Sequence, residues 1–232
     1  MENNYRTLTE TIYQNIRKSI IKRKYKSGNR LLLNDLSNEM NVSMTPVREA
    51  LKKLEKDGLV MILPNRGAIV ISLTLRDVIE IYDLREHLES LAVELFIENK
   101  RENILDKLEK ICDEDEDCLR KNDLDLHVEC NYKFHILLVK SCGNKRLIKF
   151  YDELSGQLSV LVGRTISFAG EPKKSASEHR ELIETLKMGN IELSKKIIQN
   201  HIQNAKKDIL SRAKILFKNN KLNLDIKIDK II

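Results

Sequence analysis

Tryptophan is absent from this chain of 232 residues, and aromatic residues make up only 5% of it. The hydrophobic fraction is nevertheless 41%, which is enough to bury a core and excludes a disordered chain. With so few aromatic side chains, that core has to be built from leucine, isoleucine and valine. Such a composition suits helices that pack on other helices.

Long apolar runs are also missing. No stretch of about 18 apolar residues occurs, so no transmembrane helix is expected. The first ten residues, MENNYRTLTE, lack the apolar region of a signal peptide. We therefore expect a cytoplasmic protein with no membrane partner.

The cysteines form no C-x-x-C pair. The four of them, at positions 112, 118, 130 and 142, are spread over 31 residues with no metal-binding spacing. In a reducing compartment we expect four free thiols that pack between helices rather than a cysteine-rich zinc site.

Positive charge is confined to the first third of the chain. Residues 1–75 hold 13 Lys and Arg against 7 Asp and Glu, whereas the remaining residues hold 28 of each kind. This asymmetry predicts a polyanionic partner for the N-terminal part alone.

The N-terminal pattern predicts three helices followed by a β-hairpin. Residues 7–24 have apolar side chains at helical spacing, and a short helix is expected over 35–40 with Asn34 as its N-cap. A third helix is expected to be capped by Thr45, to have Pro46 as its first residue and to end at Gly58. Two β-rich runs, 60–63 and 68–71, then flank a turn. This order is that of a winged helix-turn-helix.

After residue 73 the pattern is helical throughout. The predicted helices cover 77–99, 103–121, 124–142, 145–168, 175–188 and 190–217. We predict a mostly α protein with a winged helix-turn-helix over 1–72 and an antiparallel bundle of about six helices over 76–217. The tail, 218–232, alternates apolar and charged residues, which fits either an edge strand or a frayed end.

The third helix has the side chains of a DNA-recognition helix. Its N-terminal residues enter the major groove in this fold. The Ser43 and Thr45 hydroxyls can hold a phosphate, Arg48 can bind a guanine edge, and Lys52 can contact the backbone. The wing tip Asn65-Arg66-Gly67 suits a minor groove, and Arg30 is a further DNA contact.

The same residues resemble the GntR family of bacterial regulators. The segments VS-x-TPVREAL-x-x-LE-x-x-GLV, from Val42 to Val60, and PNRGA-x-V, from Pro64 to Val70, are close to the signature of that family. Met44 departs from the pattern, because the family usually has an arginine there that supports DNA contact. The operator sequence therefore does not follow from the resemblance.

The C-terminal part resembles the FCD domain of the FadR subfamily. Residues 78–96 look like its first helix, and four family motifs follow: Asn131–His135, Gly143-Asn144, Glu178-His179-Arg180 and His201. The resemblance implies a helical bundle that binds a small effector, often a carboxylate. It also implies a divalent metal held by one Asp and three His, here Asn131, His135, His179 and His201.

The residues themselves agree with a metal site. Asn131 and His135 share one face of a helix at i and i+4, and His179 and His201 come from two other helices. Three imidazoles with one oxygen ligand suit Zn, Ni, Fe or Mn. The alternative is a metal-free cavity lined by hydrogen-bonded histidines.

Asparagine at position 131 replaces the usual aspartate and brings no charge. We expect a lower metal affinity and a stronger attraction of the ion for an anionic effector. His127 or Glu129, on the same helix, are candidates to compensate. Arg85 is a candidate clamp for an effector carboxylate, or else forms a salt bridge with Glu89 at i+4.

The leading hypothesis is a ligand-responsive regulator, by family precedent a repressor, and not an enzyme. It would bind a pseudo-palindromic operator on double-stranded DNA as a homodimer, because one head reads one half-site. An organic acid bound in the bundle would modulate it. The alternatives are a metal-dependent enzyme, a protein–protein adaptor, and a metal-free regulator that binds a larger acyl ligand.

Overall fold

The computed structural model describes residues 7–22, 24–64, 66–71, 73–165 and 172–218. Within them the chain forms two compact units. The head unit contains residues 7–74 and the segment Glu153–Val160, and the bundle unit contains Leu75–Asp152 and residues 161–218. The described residues are mainly helical with one small antiparallel sheet, which confirms the predicted fold class.

Three helices build most of the head unit. They are α1 (Leu8–Ile21), α2 (Leu33–Met40) and α3 (Met44–Lys56). The Thr7 hydroxyl caps α1 by accepting from the Glu10 amide at 3.2 Å. Three apolar side chains of α1 at helical spacing are buried, whereas Leu8 in its first turn is 54% exposed. The buried ones share one core with the inner face of α3: Ile12, Ile16, Ile20, Val47, Ala50, Leu51 and Leu54.

A three-stranded antiparallel sheet completes the head unit. Its strands are β1 (Arg30–Leu31), β2 (Val60–Leu63) and β3 (Gly67–Val70), in the order β1-β3-β2. Gly67 has φ +103°, and a Cβ at this position would lie 2.0 Å from the Leu31 carbonyl oxygen. The close approach of β1 to β3 therefore requires a glycine at the base of the wing.

The predicted starts of the helices and strands in the head unit need correction. Leu33 packs against the head core and is drawn into α2, so Leu32 rather than Asn34 is the N-cap. Ser43 rather than Thr45 is the N-cap of α3. Pro46 is its third residue, where a missing amide hydrogen still breaks no helical bond.

Two further differences concern the ends of helix α1 and strand β3. Helix α1 ends at Ile21 instead of 24, because the next three residues, Lys-Arg-Lys, offer no apolar side chain to extend its buried face. Strand β3 runs over Gly67–Val70 instead of 68–71, because Gly67 pairs with Leu63 across the hairpin. Strand β1 was not predicted at all.

The described residues after the sheet form six helices and one short turn. They are α4 (Leu75–Glu98), α5 (Leu105–Arg120), α6 (Leu124–Lys140), α7 (Lys145–Thr165), α8 (Pro172–Lys187) and α9 (Ile191–Lys218), with a 3₁₀ turn at Glu102–Ile104 before α5. The predicted helices coincide with these except at their ends. Helix α8 starts three residues early because proline is well suited to a first helical position. Residues 166–168 and 219–232 lie outside the described part.

Side-chain caps set the starts of three of these helices. The Asp123 carboxylate accepts from the Leu126 amide at 3.0 Å, and the Asn190 side chain accepts from the Leu193 amide at 3.0 Å. Asn144, in the Gly-Asn pair, accepts from the amides of Arg146 and Leu147, both at 3.1 Å. The Gly-Asn motif is therefore a helix start.

Helix α4 packs along α9, while α5 packs against α6 and α8. The α4–α9 contact is edged by polar pairs, including Lys195 to Glu94 at 2.7 Å and Lys206 to Asp83 at 2.5 Å. This packing brings the inner faces of α4, α6, α8 and α9 towards one another. All four cysteines are buried and free, as predicted. No described helix is long and apolar enough to cross a membrane.

Candidate functional site

Three histidine side chains meet inside the bundle unit. His135 lies on α6, His179 on α8 and His201 on α9, and none is more than 4% exposed. The Nε2 atom of His135 is 3.2 Å from Nε2 of His179 and 3.2 Å from Nε2 of His201. One nitrogen from each ring lies within 4.8 Å of the other two. The structure thus brings together three of the four residues predicted to bind a metal.

Carboxylates fix the orientation of two of the rings. Glu89 Oε2 is 2.6 Å from His135 Nδ1, and Glu178 Oε2 is 2.7 Å from His201 Nδ1. A carboxylate at this distance accepts a hydrogen bond from the Nδ1–H group, so the lone pair of each ring is on Nε2. The two lone pairs face each other across 3.2 Å, which is repulsive unless a cation lies between them.

The third ring is held by stacking. His179 lies against the Phe134 ring with 4.1 Å between centroids and 15° between planes. This contact between α8 and α6 sets the plane of the imidazole and directs its Nε2 towards His135. Burial, followed by the charges of His201 and His135, lowers the pKa of His179.

Burial keeps the imidazole of His135 neutral as well. Burial and then the Arg85 guanidinium lower the pKa of His135 to about 3, although Glu89 acts in the opposite direction. Neutral imidazole is the form that binds metals. The lowered pKa values of His135 and His179 therefore suit metal binding by these two rings at neutral pH.

Glu89 lies at the centre of a buried polar network. It is fully buried and also accepts from Arg85 Nε at 2.6 Å and from the Tyr151 hydroxyl at 2.7 Å. Burial raises the pKa of Glu89, but Arg85 and His135 more than offset this and hold it below its usual range. Of the two roles considered for Arg85, the structure contains the salt bridge to Glu89.

A divalent ion fits the residues present. Imidazole nitrogens bind such an ion at ~2.0–2.1 Å, which places ligand nitrogens about 2.9–3.4 Å apart for octahedral to tetrahedral angles. The two 3.2 Å separations lie inside this range. Asn131 Oδ1, one turn before His135, is buried and has no hydrogen-bond partner among the described residues. The donor set and the unsatisfied oxygen are those of a three-histidine site with an oxygen ligand.

Neither residue considered as compensation for Asn131 joins the cluster. His127 is buried, but its Nδ1 lies 2.6 Å from Asp115 Oδ1 on α5. Glu129 is exposed and pairs with Lys133 at 3.0 Å. Both expectations of compensation are therefore wrong, because helix α6 directs these two side chains to other partners.

The predicted DNA contacts of α3 are exposed in the head unit. Ser43, Met44, Thr45, Arg48 and Lys52 are all on the surface. No side chain caps the first turn of α3, which leaves its backbone amides available to a phosphate. Lys52 forms an exposed pair with Glu49 at 3.0 Å, an interaction that competes weakly with a phosphate.

The wing carries two further predicted contacts. Arg66 is exposed in the β2–β3 turn, where its amide donates to the Leu63 carbonyl at 3.0 Å. Arg30 is exposed on β1 opposite Ile69. Gly67 is buried at the base of the turn, so its part is to shape the wing. Asn65 lies outside the described residues.

The chain combines a winged helix-turn-helix with a helical domain that contains three convergent histidines, the architecture of a one-component transcriptional regulator. Residues 8–70 match the gntR family of bacterial regulatory proteins, and residues 80–204 match the FCD domain. The chain belongs to the GntR family and carries an FCD domain, which confirms the resemblance seen in the sequence.

Known proteins agree with this assignment. The chain is 34% identical to the HTH-type transcriptional regulator YdhC of Bacillus subtilis over 82% of this chain and 85% of that protein. It is 30% identical to the gluconate operon transcriptional repressor of Bacillus licheniformis over 60% of this chain and 57% of the repressor. The solved structure of E. coli McbR/YncC has the same fold, with a TM-score of 0.74 at 21% identity over 93% of this chain and 99% of that one.

The relatives and folds that match are those of transcriptional regulators and not of enzymes, as predicted. The chain is thus a DNA-binding regulator. The carboxylates that orient the histidines were not identified from the sequence. Glu178 adjoins His179 in the Glu-His-Arg motif, and Glu89 is four residues after Arg85, but neither spacing identifies a partner on another helix.

Proposed function

We propose that this regulator is a ligand-responsive repressor controlled by an organic acid that binds beside a metal ion in the bundle unit. The observation that carries the proposal is the convergence of three histidine Nε2 atoms. In two of the rings Nδ1 donates to a carboxylate, Glu89 or Glu178, so that Nε2 has the lone pair. Buried imidazole nitrogens with lone pairs contribute nothing to packing, so we infer that they bind a ligand.

His135, His179 and His201 would hold the ion, with Asn131 Oδ1 as a weaker fourth ligand. When bound, the ion supplies a positive charge that can bind an effector carboxylate directly. All four protein ligands are neutral, so none of that charge is cancelled inside the ligand shell. The Glu89 carboxylate lies behind His135 and strengthens its donor nitrogen.

Arg85 would support the effector from the α4 side. Its Nε is engaged by Glu89, and its guanidinium is 3% exposed in the interior of the bundle unit. A guanidinium has five N–H donors, so the salt bridge does not use all of them. Its charge acts on His135 and on His179, which supports a position close to these two rings. A carboxylate at the ion would therefore gain a second cationic neighbour.

Repression is supported by the relatives. Two of them are gluconate operon transcriptional repressors from Bacillus species, each 30% identical over 139 residues. A name that includes gluconate also favours an organic acid as effector. A protein of this kind would act in the cytoplasm, where the DNA is.

DNA binding would use α3 and the wing. Exposed Ser43 and Thr45 and the free amides of the first α3 turn would contact phosphates, and Arg48 would bind a guanine. Met44 and Lys52 would face the backbone at the same surface, while Arg66, Arg30 and the wing residues Asn65 and Gly67 would lie along the minor groove.

A homodimer would pair two heads with a pseudo-palindromic operator. The sequence of helix α4 supports a dimer, because it has leucines separated by four, three and four residues: Leu84, Leu88, Leu91 and Leu95. Leu84 is 56% exposed and Leu91 is 40% exposed. This spacing is that of a seam between two helices. Substituting glutamate for Leu84 and Leu91 together would produce a monomer in sedimentation equilibrium.

The test of the proposed function begins with a random pool of DNA duplexes, from which the duplexes that the protein binds are selected. A two-fold symmetric site whose affinity falls with salt supports a dimeric DNA regulator. Organic acids are then titrated into the complex of metal-loaded protein with the selected duplex. An acid that releases the duplex from wild-type protein but not from His135→Ala supports the proposal, and binding that no acid alters in metal-loaded protein contradicts it.

A further inference from the structure

The bundle unit contains a third histidine–carboxylate pair, which is buried and takes no part in the three-histidine cluster. His127 Nδ1 on α6 lies 2.6 Å from Asp115 Oδ1 on α5, and each side chain is no more than 3% exposed. The arrangement is the same as at His135 and His201, where a carboxylate also binds Nδ1. In each case Nδ1 of the ring faces a carboxylate oxygen.

Hydrogen bonding in this pair is incomplete. Asp115 Oδ2 is buried and has no hydrogen-bond partner among the described residues. Its other oxygen, Oδ1, contacts the His127 ring. A carboxylate oxygen removed from water without a donor is strongly unfavourable. Buried polar atoms are nearly always satisfied in proteins, so an unsatisfied one indicates a bound group.

The chemistry of the unsatisfied Asp115 oxygen and of the adjoining His127 ring limits what can bind. Asp115 Oδ2 is an acceptor, and His127 with its Nδ1 proton directed at Asp115 presents an acceptor at Nε2. A carboxylate or phosphate would be repelled by such a surface. A hydroxyl or an ammonium group, which donates hydrogen bonds, would satisfy it.

The location connects the pair to the three-histidine cluster. His127, Asn131 and His135 follow one another at steps of four residues on α6, so they lie on one face of the helix. Two such steps correspond to ~12 Å along the helix axis. A chain of about six carbons could therefore extend from the cluster to the pair.

We propose that Asp115 and His127 form the second anchor of the effector site and bind a hydroxyl or ammonium group at the end of the effector opposite its carboxylate. This inference rests on the proposed function, because the carboxylate end is assigned to the metal and Arg85. It adds the requirement that the effector is a bifunctional acid rather than a simple fatty or dicarboxylic acid.

Three acids with the same six-carbon backbone test this requirement: hexanoate, gluconate and 6-aminohexanoate. Their dissociation constants are measured calorimetrically with Zn²⁺-loaded full-length protein. We expect gluconate or 6-aminohexanoate to bind at least about tenfold more tightly than hexanoate, as expected for a hydrogen bond to a buried charged group. Whichever of the two binds more tightly identifies the donor as a hydroxyl or an ammonium group.

Two variants locate the preference in the structure. Asp115→Asn and His127→Gln should each reduce the preference to less than about threefold while hexanoate binding stays the same. Asp117→Asn is the matched control, because Asp117 is on the same helix but forms an exposed pair with Arg120. Melting temperatures verify that each variant is folded, and either of the two variants is sufficient for the test.

The outcomes separate this inference from the proposed function. Equal binding of the three probes to wild-type protein overturns the inference, as does a preference that survives in both variants. If no probe binds at all, the inference is also overturned. Hexanoate binding that is lost in the presence of a chelator supports the metal-bound carboxylate independently, and hexanoate binding that persists without metal contradicts the proposed function.

Discussion

His135 and His201 direct the same ring nitrogen at each other, with 3.2 Å between their Nε2 atoms. Each ring has its Nδ1 bound by a carboxylate, Glu89 for one and Glu178 for the other. Two lone pairs at this distance repel, so the arrangement is stabilised by whatever positive charge lies between them. A divalent ion would satisfy both nitrogens at once, together with a third from His179.

Replacing Glu178 with Gln should weaken metal binding by about 10–100-fold. The carboxylate makes His201 a stronger donor and fixes its tautomer, and an amide does both less well. Metal affinity is measured by competition with a chromophoric chelator. Glu184→Gln, on the same helix at an exposed pair with Lys187, is the control and should leave the affinity unchanged. Equal losses in the two variants would show that His201 needs no carboxylate.

Replacing Asn131 with Asp should raise metal affinity by at least about tenfold. A carboxylate carries a negative charge that attracts the divalent ion, whereas the neutral amide offers only a carbonyl dipole. The same competition assay measures the change, and Asn131→Ala should move the affinity in the opposite direction. Affinity that is identical in wild-type protein and in both variants would exclude Asn131 from the ligand shell.

Arg48 and Lys52 should have different effects on DNA binding. Arg48→Ala should weaken binding to the selected operator by ~1–3 kcal/mol and relax sequence preference at one base pair. Lys52→Ala should weaken binding to all duplexes and reduce the salt dependence by about one counterion. Fluorescence anisotropy at several salt concentrations distinguishes the two. A change of sequence preference in Lys52→Ala alone would reverse the assignment.

Ionisation of the Cys112 thiol should lower the free energy of unfolding in alkaline solution. Burial raises the pKa of Cys112 from 9.0 to about 12, with Arg180 opposing this and nearby carboxylates adding to it. The folded protein keeps a proton that the unfolded chain releases, so this contribution is complete below pH 9 and is lost between pH 9 and 12.

Urea unfolding at pH 8, 9.5 and 10.5 measures this effect as the difference between wild-type protein and Cys112→Ala. The alanine variant loses a constant amount from the cavity that it creates, but it should show a shallower decline with pH. Parallel declines in the two proteins would mean that the thiol ionises equally in the folded and unfolded states.

The fold could be predicted from the sequence because each segment has a clear local signal. Ile12, Ile16 and Ile20 mark the buried face of α1, and the Gly143-Asn144 pair marks the start of α7 through the Asn144 side chain. Strand β1 has no such signal, since two residues have no periodicity. It forms because Gly67 lets Leu31 approach β3.

The candidate site could be predicted in part. The three histidines fall on family positions, but their carboxylate partners are separated from them by 23 and 46 residues and depend on how helices pack. His127 shows the limit of helical spacing. It shares a face with His135, yet the packing of α5 against α6 brings Asp115 to its ring and keeps it out of the cluster.

The most direct test of the account is the metal content of untagged protein purified without chelators, measured by mass spectrometry for wild-type protein and His135→Ala. We predict about one divalent ion per chain in wild-type protein and almost none in the variant. Wild-type protein without metal, even after incubation with Zn²⁺, Ni²⁺ or Mn²⁺, or equal metal content in both proteins, would contradict it.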